Sequence, residues 1–309
     1  MRRFSGLDIP DDARGAVAAM GNFDGVHLGH QAVIDVARKV AAAGGAPLAV
    51  ATFEPHPRSV FAPEAPPFRL MTPDSKARRL GGLGVDLLYE IPFTRELASL
   101  SPQAFARDVL ADPLGIRHVV VGGDFRFGAK RAGDASALLA LGEAHGFGVT
   151  VAPMVELPGG EVSSTRIREA LSDGRPQDAA RMLGHLHRIE GEVIHGEKRG
   201  RTLGFPTANM ALDGLHLPAF GIYAVRADVL TGTHAGRHLG AASLGVRPQY
   251  GGEVPNLETF LLDFDGDLYG ERLSVGLAHY IRPELRFDSE AAFLARMHED
   301  VAEARRLLA

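Results

Sequence analysis

The chain has 309 residues, of which 45% are hydrophobic and 23% charged, with a formal net charge of -5 and no cysteine. This composition supports one large or two medium packed domains and excludes collagen, coiled coil and wholesale disorder. The charge balance gives no global attraction to nucleic acid or an anionic membrane, and without cysteine there are no disulfides, thiolate nucleophiles or cysteine-ligated metals.

The first part of the chain alternates strand-like and helix-like segments. Ala16–Met20 predicts a short buried strand, and Gly29–Ala43 a helix with Val33, Val36, Ala37 and Val40 on one face and Gly44 as C-cap. Further strands are expected over Leu48–Phe53, Val85–Ile91, His118–Val121 and Val149–Val151, with helices around Asp74–Leu80, Pro102–Ala111 and Ala135–His145. That alternation implies βαβ units and a mainly parallel sheet. Helices Thr165–Leu171 and Pro176–Leu183 close this part, after which the character changes. Ile189–Ile194, Ile222–Asp228, Ala241–Val246, Glu258–Phe264 and Leu273–Tyr280 read as strands, Asp265-Gly266 as a two-residue hairpin turn, and Ser289–Leu308 as a terminal helix capped by Asp288 or Ser289. The expected architecture is α/β followed by β: a domain with a parallel sheet over 1–184, then a smaller β-barrel or sandwich with a terminal helix over 185–309.

Arg2 and Arg3 lead into mixed polar residues rather than an apolar leader. The longest uncharged run, Val40 to Phe53, is interrupted by Gly44, Gly45 and Pro47 and falls short of the roughly 18 apolar residues of a spanning helix. The expectation is a cytoplasmic protein, monomeric or weakly homo-oligomeric, with no nucleic-acid or membrane partner.

The loop between the first strand and first helix reads Gly21-Asn22-Phe23-Asp24-Gly25-Val26-His27-Leu28-Gly29-His30. Ligands of open α/β sheets bind at the carboxyl ends of strands, and a helix N-terminus there suits phosphate. Gly21, Gly25 and Gly29 allow close backbone approach. His27 and His30, three apart, share a helix face and can donate hydrogen bonds to phosphate oxygens as charge develops. Taken alone, the spacing more often marks two surface or satisfied histidines. A zinc site lacks an obvious third ligand, and no P-loop pattern is present.

In the second part, His195-Gly196-Glu197-Lys198-Arg199-Gly200-Arg201-Thr202-Leu203-Gly204-Phe205-Pro206-Thr207-Ala208-Asn209 begins glycine-rich and basic, a loop whose amides and charge, at Gly200 and Arg201 among others, suit phosphates. Thr207 and Asn209 point the same way in an extended segment and offer two neutral oxygens of the kind Mg²⁺ takes. A plain surface loop entering a strand is the alternative. Glu258 heads a strand whose face also carries Phe260, Leu262 and Phe264, so its partly desolvated carboxylate suits a general base; a solvated strand-end glutamate is the competing reading.

The first loop resembles the nucleotide-binding signature of the nucleotidyltransferase superfamily with His-x-Gly-His motifs. Together with Thr52-Phe53-Glu54-Pro55-His56-Pro57-Arg58, Gly122-Gly123-Asp124-Phe125-Arg126-Phe127-Gly128 and Ser163-Ser164-Thr165-Arg166-Ile167-Arg168, in that order, it is most similar to the bacterial bifunctional riboflavin kinase/FAD synthetase family. Gly204-Phe205-Pro206-Thr207-Ala208-Asn209 is similar to the riboflavin kinase motif of the same family, in which the Thr and Asn positions bind Mg–ATP.

The resemblance implies a Rossmann-like nucleotidyltransferase domain followed by a riboflavin-kinase-type β-barrel, with ATP binding by Gly21, Asn22, Phe23, Asp24 and Gly25. It implies an anion site at Ser164 and Thr165 with Arg166 and Arg168 clamping pyrophosphate, and it makes Glu258 the base acting on the 5′-hydroxyl of riboflavin. Asp124 then faces a ribose or an amine, and Phe53, Phe125 and Phe127 stack on isoalloxazine or adenine. Each has a bland counterpart: helix capping with solvated arginines, an Asx-turn, and core aromatics. The expected reactions are riboflavin to FMN, then FMN to FAD with release of pyrophosphate, with ATP as co-substrate and Mg²⁺ as cofactor. Intact Glu258, His27 and His30 favour an enzyme over a flavin-binding sensor. Departures from the family pattern are Gln249 and Tyr250 in Arg247-Pro248-Gln249-Tyr250-Gly251, Phe260 where His is common, and His185 and His187 near the junction.

Overall fold

Short runs of small and branched apolar residues build the first sheet. Val17–Met20 is buried throughout, with Ala18 and Ala19 at 0% exposure, as expected of a strand covered on both faces. In the computed structural model, which describes residues 1–196, 203–212, 214–249 and 252–309, this strand is β2. It joins β1 (Arg2–Ser5), β3 (Leu48–Glu54), β4 (Leu87–Pro92), β5 (His118–Gly122) and β6 (Gly148–Ala152) in the order β1-β4-β3-β2-β5-β6. Every pairing is parallel. From β2 the chain winds outward through β3 and β4, then returns to the other side of β2 through β5 and β6. The winding direction therefore reverses between β2 and β5, the place where open α/β sheets bind ligands.

Helix α1 (Leu28–Gly44) follows β2 and buries Val33, Ile34, Ala37 and Ala41. The predicted face is thus rotated slightly, because Ile34 and Ala41 displace Val36 and Val40 from the centre of the contact. The left-handed C-cap is Gly45 (φ 59°) rather than Gly44. The helix expected over Pro102–Ala111 is one α-helical turn, Pro102–Phe105, that widens into a π-helix over Ala106–Ala111. Strand β1 was not foreseen, since Arg2-Arg3-Phe4-Ser5 carries no strand pattern. It is held by its ladder to β4 and by Arg3, whose Nε donates to the buried Glu90 at 2.7 Å.

The chain folds as two units, Met1–Ala65 with Pro73–Ser163, and Pro66–Thr72 with Ser164–Ala309. The first ends with the small hairpin β7 (Glu156–Leu157) and β8 (Gly160–Glu161).

The second unit begins with helices Ser164–Ser172 and Pro176–Leu183. Strands β9 (His187–Glu192), β10 (Ala208–Ala211), β11 (Gly221–Val229), β12 (Gly236–Gln249), β13 (Gly252–Leu261) and β14 (Arg272–Arg282) then form an antiparallel sheet in the order β10-β13-β12-β11-β14-β9. The Ile194 N–H donates to the Asn209 carbonyl at 2.8 Å and brings the two edges together, giving a near-closed barrel. Inside it pack Ile189, Met210, Tyr223, Val225, Leu257 and Leu277, among others. Helix Glu290–Leu308, capped by Ser289 as predicted, covers Ala224, Ala241 and Ala278 with Ala304 and Leu308.

Two strand expectations are corrected. Asp265-Gly266 is no hairpin turn: β13 pairs with β10 and β12, β14 pairs with β11 and β9, and residues 262–271 cross between them. Asp263, at φ 55°, turns the chain out of β13. The period-two face from Glu258 therefore does not reach Phe264, and Glu258 lies within β13 rather than at its head.

Candidate active sites

At the switch point, the loop 21–27 leaves the carboxyl end of β2 and the segment 122–128 leaves the adjacent end of β5. The loop is tightly wound: Phe23 (φ 50°), Gly25 (φ 86°) and Val26 (φ 44°) are left-handed. For a bulky and a β-branched residue this conformation is uncommon and costs on the order of 1–3 kcal/mol each. The fold holds it by burial, Phe23 being 1% and Val26 0% exposed. Tethers add to this: the Thr52 hydroxyl on β3 donates to the Asn22 carbonyl at 3.0 Å, and the Gln31 amide donates to the Val26 carbonyl at 2.8 Å.

That winding delivers His27 as the N-cap of α1, its Nδ1 accepting from the His30 N–H at 3.3 Å. With Nδ1 occupied as acceptor, the ring keeps Nε2–H as a donor. His30 stacks on it with centroids 3.6 Å apart and planes 18° from parallel. Burial pushes His30 well below the usual imidazole value, and His27 and Lys76 push the same way. Its Nδ1 is shut off from solvent without a hydrogen-bond partner among the described residues. Two stacked imidazoles at the positive end of a helix dipole form a surface suited to an anion.

Asp24 is buried at 5% exposure, and Asn22 and Asp124 are exposed. Phe53 and Phe105 lie 6.3 Å apart, Phe105 and Phe127 5.6 Å, and Phe127 and Phe125 5.7 Å, one aromatic chain. Phe127 belongs to the core, while Phe53 and Phe125 are partly buried against it. Gly29 keeps the approach to the His27 ring close, since a Cβ there would lie 3.1 Å from it. One participant escapes a motif reading. Lys76 is 3% exposed, donates to the Thr52 hydroxyl at 3.3 Å and lies 3.6 Å from Glu54. Its signal was a lysine one helical turn before Leu80 on the buried face of its helix.

Ser164, Thr165, Arg166 and Arg168 open helix Ser164–Ser172 in the second unit. The Arg168 Nε donates to the Phe68 carbonyl at 2.6 Å and its guanidinium lies over the Phe68 ring at 5.4 Å.

The barrel holds a cavity of about 550 Å³ lined by Thr207, Asn209, Thr259, Phe264, Asp267 and Tyr269, with others. Strand register places Asn209 on β10 opposite Glu258 on β13, so residues far apart in sequence become neighbours. The Thr207 hydroxyl donates to Glu258 Oε2 at 3.3 Å, and the Asn209 Nδ2 donates to the Thr207 carbonyl at 3.2 Å. Asn256, which no motif reading singled out, donates to Asn209 Oδ1 at 3.1 Å and to Glu258 Oε1 at 3.3 Å. The available signal was its place two residues before Glu258, on the same strand face.

Phe205 anchors the approach to Thr207 by edge contacts with Phe260 at 5.2 Å and His298 at 4.9 Å. Among the family departures, Phe260 thus serves packing. His187 is 3% exposed, and burial, with His216 and His185 nearby, pushes it down to about 3. Gly200, Arg201, Tyr250 and Gly251 lie outside the described residues.

Among the described residues no helix is long and apolar enough to cross a membrane. The chain matches the family models FAD synthetase over residues 9–166 and riboflavin kinase over residues 183–308. The bifunctional riboflavin kinase/FMN adenylyltransferase of Pseudomonas fluorescens is 44% identical over 98% of this chain and 96% of its own length. Its namesake from Escherichia coli K12 is 40% identical over 94% and 92%. A crystal structure from Streptococcus pneumoniae, described as a macrolide-efflux protein, is 32% identical, covers 99% of both chains and superposes with a TM-score of 0.87. With both models matched in order along one near-full-length alignment, the chain belongs to the bacterial bifunctional riboflavin kinase/FMN adenylyltransferase family.

Proposed function

We infer that this chain makes both flavin cofactors: it phosphorylates riboflavin with ATP to give FMN, and transfers AMP from a second ATP to FMN to give FAD. The family membership supports the two activities, and we assign them to 1–184 for adenylyl transfer and 185–309 for the kinase. One observation carries the site assignment: the convergence of Thr207, Asn209 and Glu258 across the β10–β13 ladder.

In the kinase step, Glu258 takes the proton of the riboflavin 5′-hydroxyl. The oxygen forms a bond to the γ-phosphorus, and the bond to the bridging oxygen of ADP breaks. Thr207 and Asn209 contribute uncharged oxygens, and among the described residues no group of three His, Cys, Asp or Glu is arranged to hold a metal. That donor set fits Mg²⁺, which takes hard oxygens and fills its shell with water and substrate phosphate. When bound, the ion neutralises phosphate charge.

In the second step no protein nucleophile is needed, because the FMN phosphate is already anionic. Its oxygen bonds to the α-phosphorus of ATP and pyrophosphate leaves. His27, donating through Nε2–H, and His30 stabilise the charge that develops on the α-phosphate. The loop Gly21–Gly25 cradles phosphate, and Ser164, Thr165, Arg166 and Arg168 carry the family's anion-binding motif at the start of their helix. Asp124, Phe53 and Phe125 form the flavin and nucleoside side, with Phe127 supporting them from the core.

A time course of the purified chain with riboflavin, ATP and Mg²⁺, resolved chromatographically, tests this. FMN should appear first and FAD after it. FMN alone removes the adenylylation assignment, and no product removes both.

A further inference from the structure

We propose that Asn256 is a positioning residue of the kinase site, locking the base Glu258 and the cation-side Asn209 into one hydrogen-bonded unit. The proposal rests on the assignment of Glu258 and Asn209 made above.

Asn256 is 6% exposed and sits on β13 in register with Ala211 of β10 and Gly245 of β12, two pairs along from the Glu258–Asn209 pair and so on the same face. A side-chain amide NH₂ has two hydrogens, and here each has its own acceptor: Asn209 Oδ1 at 3.1 Å and Glu258 Oε1 at 3.3 Å. The circuit continues from Glu258 Oε2 to the Thr207 hydroxyl at 3.3 Å, and from the Thr207 carbonyl back to Asn209 Nδ2 at 3.2 Å. Four residues from two strands and the segment before β10 thus form a closed ring.

The ring fixes the direction of both amides. If Asn209 were turned over, its NH₂ would meet the NH₂ of Asn256 and its oxygen would meet the Thr207 carbonyl, two repulsive contacts replacing two hydrogen bonds. Asn256 therefore dictates that Asn209 presents its carbonyl oxygen on this side, with a second lone pair for a cation. The same residue holds one carboxylate oxygen of Glu258 while Thr207 holds the other, which sets the rotation of the base. No other uncharged side chain of similar size offers two donors from one atom: Asp has the shape without the donors, Ala has neither, and Leu fills the space dry.

The test uses the full chain with Asn256→Asp and Asn256→Ala, and Glu258→Gln as reference. Supporting outcomes are a fall in kcat for FMN formation of about 10- to 100-fold, as for other residues that orient a site from behind, with KM for riboflavin within twofold and FMN-to-FAD conversion retained. A non-kinetic readout accompanies it. In the parent chain the Asn256 and Asn209 side-chain amide protons should be slow to exchange with solvent by NMR, and in Asn256→Asp those of Asn209 should shift and exchange faster.

A normal kcat in folded Asn256 variants, with Glu258→Gln inactive, overturns this inference alone. A rise in KM for riboflavin at unchanged kcat overturns it in favour of substrate contact. A parallel loss of both activities and of melting temperature overturns it in favour of a purely structural role. Normal FMN formation by Glu258→Gln instead removes the reading on which the proposal stands.

Discussion

The two candidate sites are built in opposite ways. In the first unit, His27, His30 and the wound loop before them come from ten consecutive residues, and the geometry is stored in local backbone: left-handed Phe23, Gly25 and Val26, then a helix cap. In the barrel, Thr207, Asn209, Asn256 and Glu258 come from two segments joined by antiparallel register, and the geometry is stored in a ladder and a ring of hydrogen bonds. A local site fails when its loop or cap is disturbed. A register-built site fails when a cross-strand partner is lost, however distant in sequence.

The sharpest way to test that the sites are separable is Glu258→Gln, which keeps size and removes the proton acceptor. FMN formation should drop by roughly 10²- to 10⁴-fold, while FMN-to-FAD conversion by the same preparation stays at the parental rate. Chromatographic assay of each half-reaction with its own substrate checks both. A matching loss of FAD formation would show that the comparison is wrong and that the halves act as one catalytic unit.

His27 allows the same comparison from the other side. His27→Ala removes both the donor we assign to phosphate and the cap of α1, so FAD formation should fall by about 10²-fold or more and stability by about 1 kcal/mol, with riboflavin phosphorylation unaltered. His27→Asn separates the roles, because Asn is a strong cap but too short to present a donor where Nε2 stands. Its melting temperature should return to the parental value while FAD formation stays low.

Gly29→Ala gives a smaller and more diagnostic effect. A Cβ in this helix ordinarily stabilises by roughly 0.5–1 kcal/mol, yet here it would press on the His27 ring at 3.1 Å. Thermal unfolding unchanged or improved, together with a severalfold lower FAD rate, is the expected pair of results.

This contrast explains what could be read from the residues alone. The parallel sheet, the all-β character of the second part and the contiguous motif at 21–30 were legible because periodicity and local turn chemistry encode them, whereas closure into a barrel was implied only by the family resemblance. Asn256 was not, since an asparagine two places before a glutamate means nothing until β13 is laid against β10. The same blindness produced the wrong hairpin at Asp265-Gly266. The dipeptide is a sound local turn signal, but the partners of β13 are β10 and β12, not β14, and non-local pairing decided where the chain went. Lys76 was hidden for a related reason: a lysine in the helix expected over Asp74–Leu80 reads as solvated until Thr52 and Glu54 are brought to it. Conversely, the strained Phe23 and Val26 sit inside the most legible motif, where no propensity argument predicts left-handed aromatic and β-branched residues.

Buried histidines take the comparison to stability. His30 and His187 are both pushed down mainly by burial, one in each unit, and each has a ring nitrogen without a partner among the described residues. His187 is held at about 3, against 6.5 for an exposed imidazole. Between those values the unfolded chain binds a proton that the folded barrel refuses, so barrel stability falls as pH drops through 6.5 toward 3 and is fully present above 6.5. A single such group gives a slope of at most about 1.4 kcal/mol per pH unit. Tyrosine fluorescence follows this unfolding well, because four of the five tyrosines belong to the second unit, at 223, 250, 269 and 280, and tryptophan is absent. Urea titrations from pH 7.5 to 4.5 on the parent and on His187→Gln should show the parent losing stability with the steeper slope. Equal slopes would mean that the barrel admits the proton at His187, and that its acid sensitivity lies elsewhere.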